Sequence, residues 1–318
     1  MIIRIKIGGT MIKLFGETLK RLREKRHATQ QEILELLIRS DDSLSKLDLT
    51  TYSRWERGVT VPKLYKQLVV VRILGGDITH LIDPKARGTQ KKQKTFANLV
   101  RQLHNPYIGD FETFTYNECK SRQDRENLCR QLTNFHQEYL GESIDTNFIV
   151  ESDLLLNAFR DTSHNLIGHN VYGFVSVDTR EDLFSPSKLT EVQFININKV
   201  KDQALDLYIV SAYHMLPTTR MIELLFLLDI LVKRTKLKSV IINCHNQDAY
   251  NLYSTNIDFQ VLSKGDEVQF GGVKMFTKCY QYVQIKLKAE AILASKVISH
   301  LVPSIDKYIL EYRERFLS

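Results

Sequence analysis

Apolar residues along the first eighty positions recur at helical spacing. Phe15, Leu19 and Leu22 fall at i, i+4 and i+7, one stripe of a helix whose other face is basic. A second helix is predicted to open at Thr29, because Thr29-Gln30-Gln31-Glu32 has the form of a capping box, with Ile33, Leu34 and Leu37 then facing inward. A third, short helix starts near Asp48, a residue suited to the N-cap, and turns Tyr52 and Trp55 toward the core while Thr50, Thr51, Ser53 and Arg54 stay outside. Helical text ends at about Ile82, and Asp83 to Lys94 forms a basic break that reads as a linker. Two helical stretches fill 95–141, the second from about Glu118 to Leu140.

From Phe148 the pattern changes to short β-branched and aromatic runs. Strands are predicted over Val171–Val177, Val192–Ile197, Leu205–Tyr213 and Ser239–Asn243, with a long helix from about Thr219 to Arg234 between the third and fourth. That order implies an α/β sheet that is antiparallel early and gains a parallel strand after the crossover helix. The tail, Ala289–Ser318, gives two amphipathic helices interrupted by Pro303. Its stripe of Ile305, Tyr308, Ile309, Tyr312 and Phe316 suits packing on its own domain or a dimer contact.

Thr50 to Gly58, Thr-Thr-Tyr-Ser-Arg-Trp-Glu-Arg-Gly, resembles the recognition helix and following turn of a phage-repressor (XRE/Cro) type helix-turn-helix. Phe15 to Arg23 and Thr29 to Glu32 resemble that family's first helix and second-helix cap. The resemblance implies double-stranded DNA as the partner, with Gln30 at the phosphate-contacting position and Thr50, Thr51, Ser53, Arg54 and Arg57 at or beside the groove. Arg54 is the side chain able to pair bidentately with guanine. The sequence departs from the family between Gln30 and Trp55, which are about eight residues further apart than usual. Ile38 to Lys46 is the expected insertion, lengthening the turn or the second helix.

Charge agrees with that placement. The chain has 318 residues and a formal charge of +7, and residues 1–105 hold 21 Lys and Arg against 10 Asp and Glu, leaving 23 against 27 in the remainder. A balance of +11 beside the helix-turn-helix is what phosphate neutralisation requires. The 43% hydrophobic and 25% charged composition is that of an ordinary globular chain of about two domains. No apolar run approaches a membrane span, Met1 to Leu14 lacks the form of a secretory signal, and a cytoplasmic location is expected. Cys119, Cys129, Cys244 and Cys279 form no Cys-x-x-Cys pair and read as reduced thiols. His164 and His169 lack partner ligands, so no metal site is expected. Met11 is an alternative start, and nothing is built on the first ten residues.

Asn246-x-x-Ala249-x-x-Leu252-Tyr253-x-x-x-Ile257-Asp258-Phe259, together with the strand order, resembles a GNAT-type N-acetyltransferase over roughly Phe148 to Lys288, with Asp258 where the family has Gly. The resemblance implies an acyl-CoA cleft between the fourth and fifth strands. Tyr213, Met215, Arg220, Asn246 and Tyr253 are its expected lining, and Tyr253 is the general acid if the domain is an enzyme. His214 and His245 also fall at strand ends near it, and are read as structural. Pro217 and Arg220 match the family's phosphate-cradle segment, but Glu223 and Leu225 replace its glycines. Acetyl-CoA binding is therefore expected to be weakened by charge and bulk, and no cofactor is expected.

The fold class expected is thus multi-domain, an all-α helix-turn-helix part followed by a mixed-sheet, acetyltransferase-like α/β part. Its divisions are 11–83, the DNA-binding domain; 84–147, a basic linker and connecting helices; 148–288, the acetyltransferase-like domain; and 289–318, terminal helices. The function implied is a DNA-binding regulator, homodimeric and open to a small-molecule effector, in which the second domain senses or dimerises without catalysis. The alternative is a DNA-bound acetyltransferase that acetylates an amine with acyl-CoA.

Overall fold

In a computed structural model of the chain, residues 7–83, 114–200, 203–254 and 257–316 are described. The N-terminal part is helical: α1 (Ile7–Lys25), α2 (Gln30–Ser40), α3 (Leu49–Glu56) and α4 (Leu64–Ile73). Phe15, Leu19, Leu22, Ile33, Leu34, Leu37, Tyr52 and Trp55 are all buried, so the helical spacing of these residues sets one core. The caps are local chemistry. Thr29 donates its backbone N–H to Glu32 Oε2 at 2.7 Å while its hydroxyl accepts from the Glu32 amide at 3.2 Å, and Asp48 accepts from the Thr51 amide at 2.7 Å. The extra residues between α2 and α3 become the last turn of α2 and a 3₁₀ turn over Asp42–Leu44, which Asp41 caps and Leu44 anchors in the core.

Gly16 of α1 sits against the backbone at the end of α3. A Cβ there would lie 2.7 Å from the Trp55 carbonyl and 2.8 Å from that of Glu56, both backbone atoms. Ala would gain at most about 1 kcal/mol of helix propensity. Overpacking against rigid backbone costs about 1–3 kcal/mol. Gly16→Ala is therefore expected to lower the urea midpoint, and an unchanged or raised midpoint would show that α1 can shift freely.

The C-terminal part is a seven-stranded mixed sheet. Its strands are β1 (Phe114–Glu118), β2 (Leu155–Asp161), β3 (Leu166–Ser176), β4 (Leu205–His214), β5 (Leu237–Cys244), β6 (Phe259–Lys264) and β9 (Val283–Lys288), in the order β1-β2-β3-β4-β5-β9-β6. All neighbours are antiparallel except β4 and β5, which are joined by the crossover helix α7 (Pro217–Lys233). A small hairpin, β7 (Val273–Met275) and β8 (Lys278–Tyr280), stands apart. Helices α5 (Arg122–Leu140) and α6 (Thr146–Glu151) join a core containing Leu128, Leu132, Ile149, Tyr208 and Val210. Helix α7 packs with α9 (Ala289–Leu293) and α10 (Ile305–Phe316) in a second core that continues into the N-terminal bundle.

Several sequence expectations change here. Val192–Ile197 is not a strand but a covering segment between 3₁₀ turns at Pro186–Glu191 and Ile197–Lys199. β2 pairs with β3 only as far as Tyr172, and just beyond it the Ile195 amide donates to the Phe174 carbonyl at 2.8 Å, while the alternating apolar residues Val192 and Phe194 cover a face of the sheet. Phe194 lies over the Tyr208 ring with centroids 6.2 Å apart. The stretch read as connecting helices supplies the edge strand β1, and its helix begins at Arg122, where Ser121 caps it, rather than at Glu118. The linker from Pro84 to Lys94 and the first helical stretch after it lie outside the described residues, as do the side chains of Tyr312 and Phe316. Ile305 and Ile309 of the tail stripe pack on the chain's own core. Among the described residues no helix is long and apolar enough to cross a membrane.

The two parts are fastened by a buried arginine. Arg72 of α4 donates from Nε to Glu290 of α9 at 2.8 Å and from Nη2 to the carbonyl oxygens of Leu237 at 2.7 Å and Arg234 at 3.2 Å. Its Nη1 donates to the Leu231 carbonyl in the last turn of α7. Lys288 of β9 adds an ion pair to Asp41, in the turn after α2, at 3.4 Å.

Candidate functional site

Two regions carry the candidate chemistry. On α3, Thr50 and Arg54 are exposed, as is Arg57 just beyond its end. Thr51 and Ser53 are half-buried; the Thr51 hydroxyl donates to Asp48 at 3.1 Å, and the Ser53 carbonyl accepts from Arg57 Nε at 3.3 Å. Glu56 turns inward, where Arg23 Nε donates to both its oxygens at 3.1 Å. Gln30 is half-buried, and its amide donates to the same carboxylate at 3.2 Å. Its side chain is engaged with α3 rather than extended to solvent.

The second region lies where the sheet opens. β4 and β5 pair as far as Ile209 and Ile242; beyond that, the β4 backbone pairs with β3 and the β5 backbone with β9, and the Asn243 side chain bridges the two by donating to the Val210 carbonyl at 2.9 Å. Parallel strands that separate leave a wedge, and here it is a cavity of about 310 Å³. Tyr213, Arg220, Asn246 and Tyr253 line it, together with His214, Glu223, Leu224 and His245. Met215 is not among the lining residues: its backbone N–H closes the β3 ladder on Ile167 at 2.9 Å, and its side chain is half exposed. Asn246 caps helix α8 (Gln247–Ser254) by accepting from the Ala249 amide at 2.8 Å.

Glu223 is the charged group at the centre of this wedge. Its carboxylate is 2.7 Å from His214 Nε2, with side-chain exposures of 21% and 2% respectively. The Asn170 amide, turned so that its nitrogen faces the pair, donates to the other Glu223 oxygen at 3.2 Å and to the His169 carbonyl at 2.8 Å. Arg220, one turn earlier, is fixed by donating Nε to the His214 carbonyl at 2.8 Å. Burial raises the Tyr253 hydroxyl well above the usual phenol range, and the Glu223 charge raises it further. Behind the wedge, His136 bonds Ser211 at 3.0 Å, and Phe135 stacks edge-on against His169 and His245. Burial lowers His136 and His245 to about 4 and His169 well below its ordinary value. Among the described residues no three His, Cys, Asp or Glu side chains group as metal ligands.

An acyl-CoA pyrophosphate needs bare amides at a helix N-terminus with space in front of them. Helix α7 begins at Pro217 with no side-chain cap, and the Arg220 amide bonds the Leu216 carbonyl at 3.1 Å, so the first-turn amides that precede this ladder are those of Thr218 and Thr219. Positions 223 and 225 lie inside the helix rather than on a loop. The steric half of the sequence expectation is also corrected: Leu225 is buried in the core and does not line the wedge, whereas its neighbour Leu224 does. What opposes a phosphate is the Glu223 charge.

Sequence reasoning read His214 and Glu223 separately and did not find their pair. They are nine residues apart around a strand-to-helix corner, a spacing with no periodic signature. No family model matches the chain, and no curated protein matches it. Among solved structures, a proposed phosphinothricin N-acetyltransferase aligns with 56% of this chain and 99% of its own length, at 13% identity and a TM-score of 0.32.

Proposed function

We propose that this chain is a sequence-specific DNA-binding transcriptional regulator whose acetyltransferase-like sheet domain senses a small molecule and does not transfer acyl groups. The observation that carries the reading is the division of α3: Tyr52, Trp55 and Glu56 buried, Thr50 and Arg54 exposed. A short helix locked from behind and polar in front suits insertion into a major groove, with exposed cations placed for phosphates. The excess of Lys and Arg in the first 105 residues supports the same partner. Reading two half-sites calls for a homodimer. Gln30, bonded to Glu56, supports α3 in this reading, and reaches a phosphate only by giving up that bond.

Arg54→Ala is expected to weaken binding to the selected operator by about 1–3 kcal/mol, roughly five- to 150-fold, while leaving nonspecific affinity within about twofold. Fluorescence anisotropy with fragments selected from a random pool, at two salt concentrations, measures both. Equal loss on all sequences would make Arg54 a phosphate contact, and no selectable sequence at all would end the regulator reading.

A second reading, a DNA-bound acetyltransferase, draws on Arg220 and Tyr253 lining one wedge. Glu223 opposes it. Release of free CoA with an amine acceptor, abolished in Tyr253→Phe, would favour this second reading over a sensor.

A further inference from the structure

The wedge selects its ligand by charge. Apart from the imidazoles and the neutral phenols, its charged lining is Arg220, Glu223 and Asp248, a formal balance of −1. Asp248 is exposed at the mouth, whereas Glu223 is mostly buried and held in place from two strands. A carboxylate fixed in a half-dry cavity attracts a cation far more strongly than one in water, because the screening is weaker. The walls suit the same guest. Tyr213 and Tyr253 contribute ring surface, and Ile209, Leu224 and Ile242 add apolar area. Carboxylate plus aromatic faces is how proteins recognise ammonium groups. A volume of about 310 Å³ suits a small metabolite.

We propose that the wedge between β4 and β5 binds a small primary ammonium compound on Glu223, where an acyl-CoA-binding fold would place phosphates. This deepens the sensor reading and rests on it for its biological meaning, though binding itself can be measured without DNA. Each part has a place. The ammonium donates to the Glu223 oxygens, which already accept from His214 and Asn170 and keep further lone pairs. Arg220, anchored at the His214 carbonyl, stands one helical turn away. No bond is made or broken, so the ligand leaves unchanged.

The site also has a mechanical connection. Glu223 lies near the start of α7, and the carbonyl of Leu231 near its end is held by Arg72 of the N-terminal bundle. Eight residues of helix span about 12 Å. A ligand that shifts α7 as a rod therefore acts on the fastening of α4.

The test is calorimetric titration of the full chain with putrescine, agmatine and tyramine, against acetate, inorganic phosphate and acetyl-CoA. Expected is saturable binding of at least one ammonium probe and none of the anions. Glu223→Gln, which keeps the shape and a hydrogen bond to His214, is expected to weaken the ammonium probe at least about tenfold, or 1.4 kcal/mol. The wild-type preference for cations over anions tests the proposal even if that variant folds poorly. Binding of acetyl-CoA alone, binding of no probe at about 10 mM, far below useful affinity, or equal binding by Glu223→Gln would each overturn it. DNA anisotropy on the same preparation separates the two claims. Ammonium binding without operator binding ends the regulator reading only, and operator binding without ammonium binding ends this one only.

Discussion

Replacing Arg72 with Met is expected to cost about 3–5 kcal/mol of stability, the range for breaking one partner out of a buried ion pair. The arginine is 3% exposed, and it donates to four acceptors: Glu290 and the carbonyl oxygens of Leu231, Arg234 and Leu237. Burial lowers the Arg72 pKa while the Glu290 charge raises it, so the pair is a compromise between desolvation and attraction. Methionine fills much of the volume but takes the donor from a buried carboxylate and from the Leu231 and Leu237 carbonyls, whereas the Arg234 carbonyl still accepts from the Leu237 amide at 3.0 Å. Arg72→Lys is expected to lie between, because an ammonium lacks the planar fork that reaches both the carboxylate and the chain end after α7. Removing both charges, Arg72→Met with Glu290→Met, should cost less than Arg72→Met alone, since no charge is then stranded. Urea unfolding of the four proteins decides it. A single-variant cost below about 1 kcal/mol, the level of an exposed pair, would mean that the two parts are held by apolar packing and that Arg72 is a passenger.

This fastening also explains which parts of the chain were legible in its sequence. Caps are written within four residues, so Thr29 with Glu32 and Asp48 with Thr51 could be read directly. Helical stripes repeat, and Phe15, Leu19 and Leu22 declared their buried face. The β4, α7 and β5 unit was readable for a similar reason, since a long apolar helix between two β-branched runs has few other arrangements. Contacts across the fold leave no such trace. Arg72 and Glu290 are 218 residues apart, and nothing local marks either as buried. β1 is a five-residue polar-looking run whose partner lies beyond the two helices α5 and α6. Val192–Ile197 shows the converse: alternation reports a half-buried extended segment, which here bonds β3 through the Ile195 amide and the Phe174 carbonyl at 2.8 Å without becoming a strand.

The candidate wedge was half legible. Tyr213, Arg220, Asn246 and Tyr253 were placed by resemblance, and all four line it. The groups that set its electrostatics were not. Glu223 was expected to act on a phosphate, whereas its carboxylate lies 2.7 Å from His214 Nε2. His136 drew no notice because it sits on a helix rich in Arg, Gln and Glu, where one more polar residue carries no signal; its burial comes from Ser211 and the sheet above it.

The same histidines give the second large effect: the protein is expected to lose stability in mild acid. His136 and His245 have folded pKa values of about 4 against an ordinary 6.5, because burial disfavours the charged ring. The sign follows from proton counting. Between pH 6.5 and pH 4 the unfolded chain binds protons at these two rings and the folded chain does not, so stability falls as pH falls through that window. The full contribution is present above the unfolded value and is withdrawn toward the folded one. From pH 7 to pH 5 each ring withdraws about 2 kcal/mol, and the two together about 4 kcal/mol. His169, lowered still further by burial and by its histidine neighbours, adds in the same direction. Glu223 works against the trend by favouring the charged form of His245, but burial is the larger cause. Carboxylates that hold hydrogen bonds, such as Asp41 with Ser43, contribute only at lower pH, where they begin to protonate. The measurement is the urea midpoint at pH 7.5, 6.5, 5.5 and 5.0 with its slope. A steep fall below pH 6.5, made shallower by about one proton in His136→Gln, is the expected result. A midpoint constant from pH 7.5 to 5.0 would show that the rings are protonated in place, and that the interior behind the wedge is wetter than its packing implies.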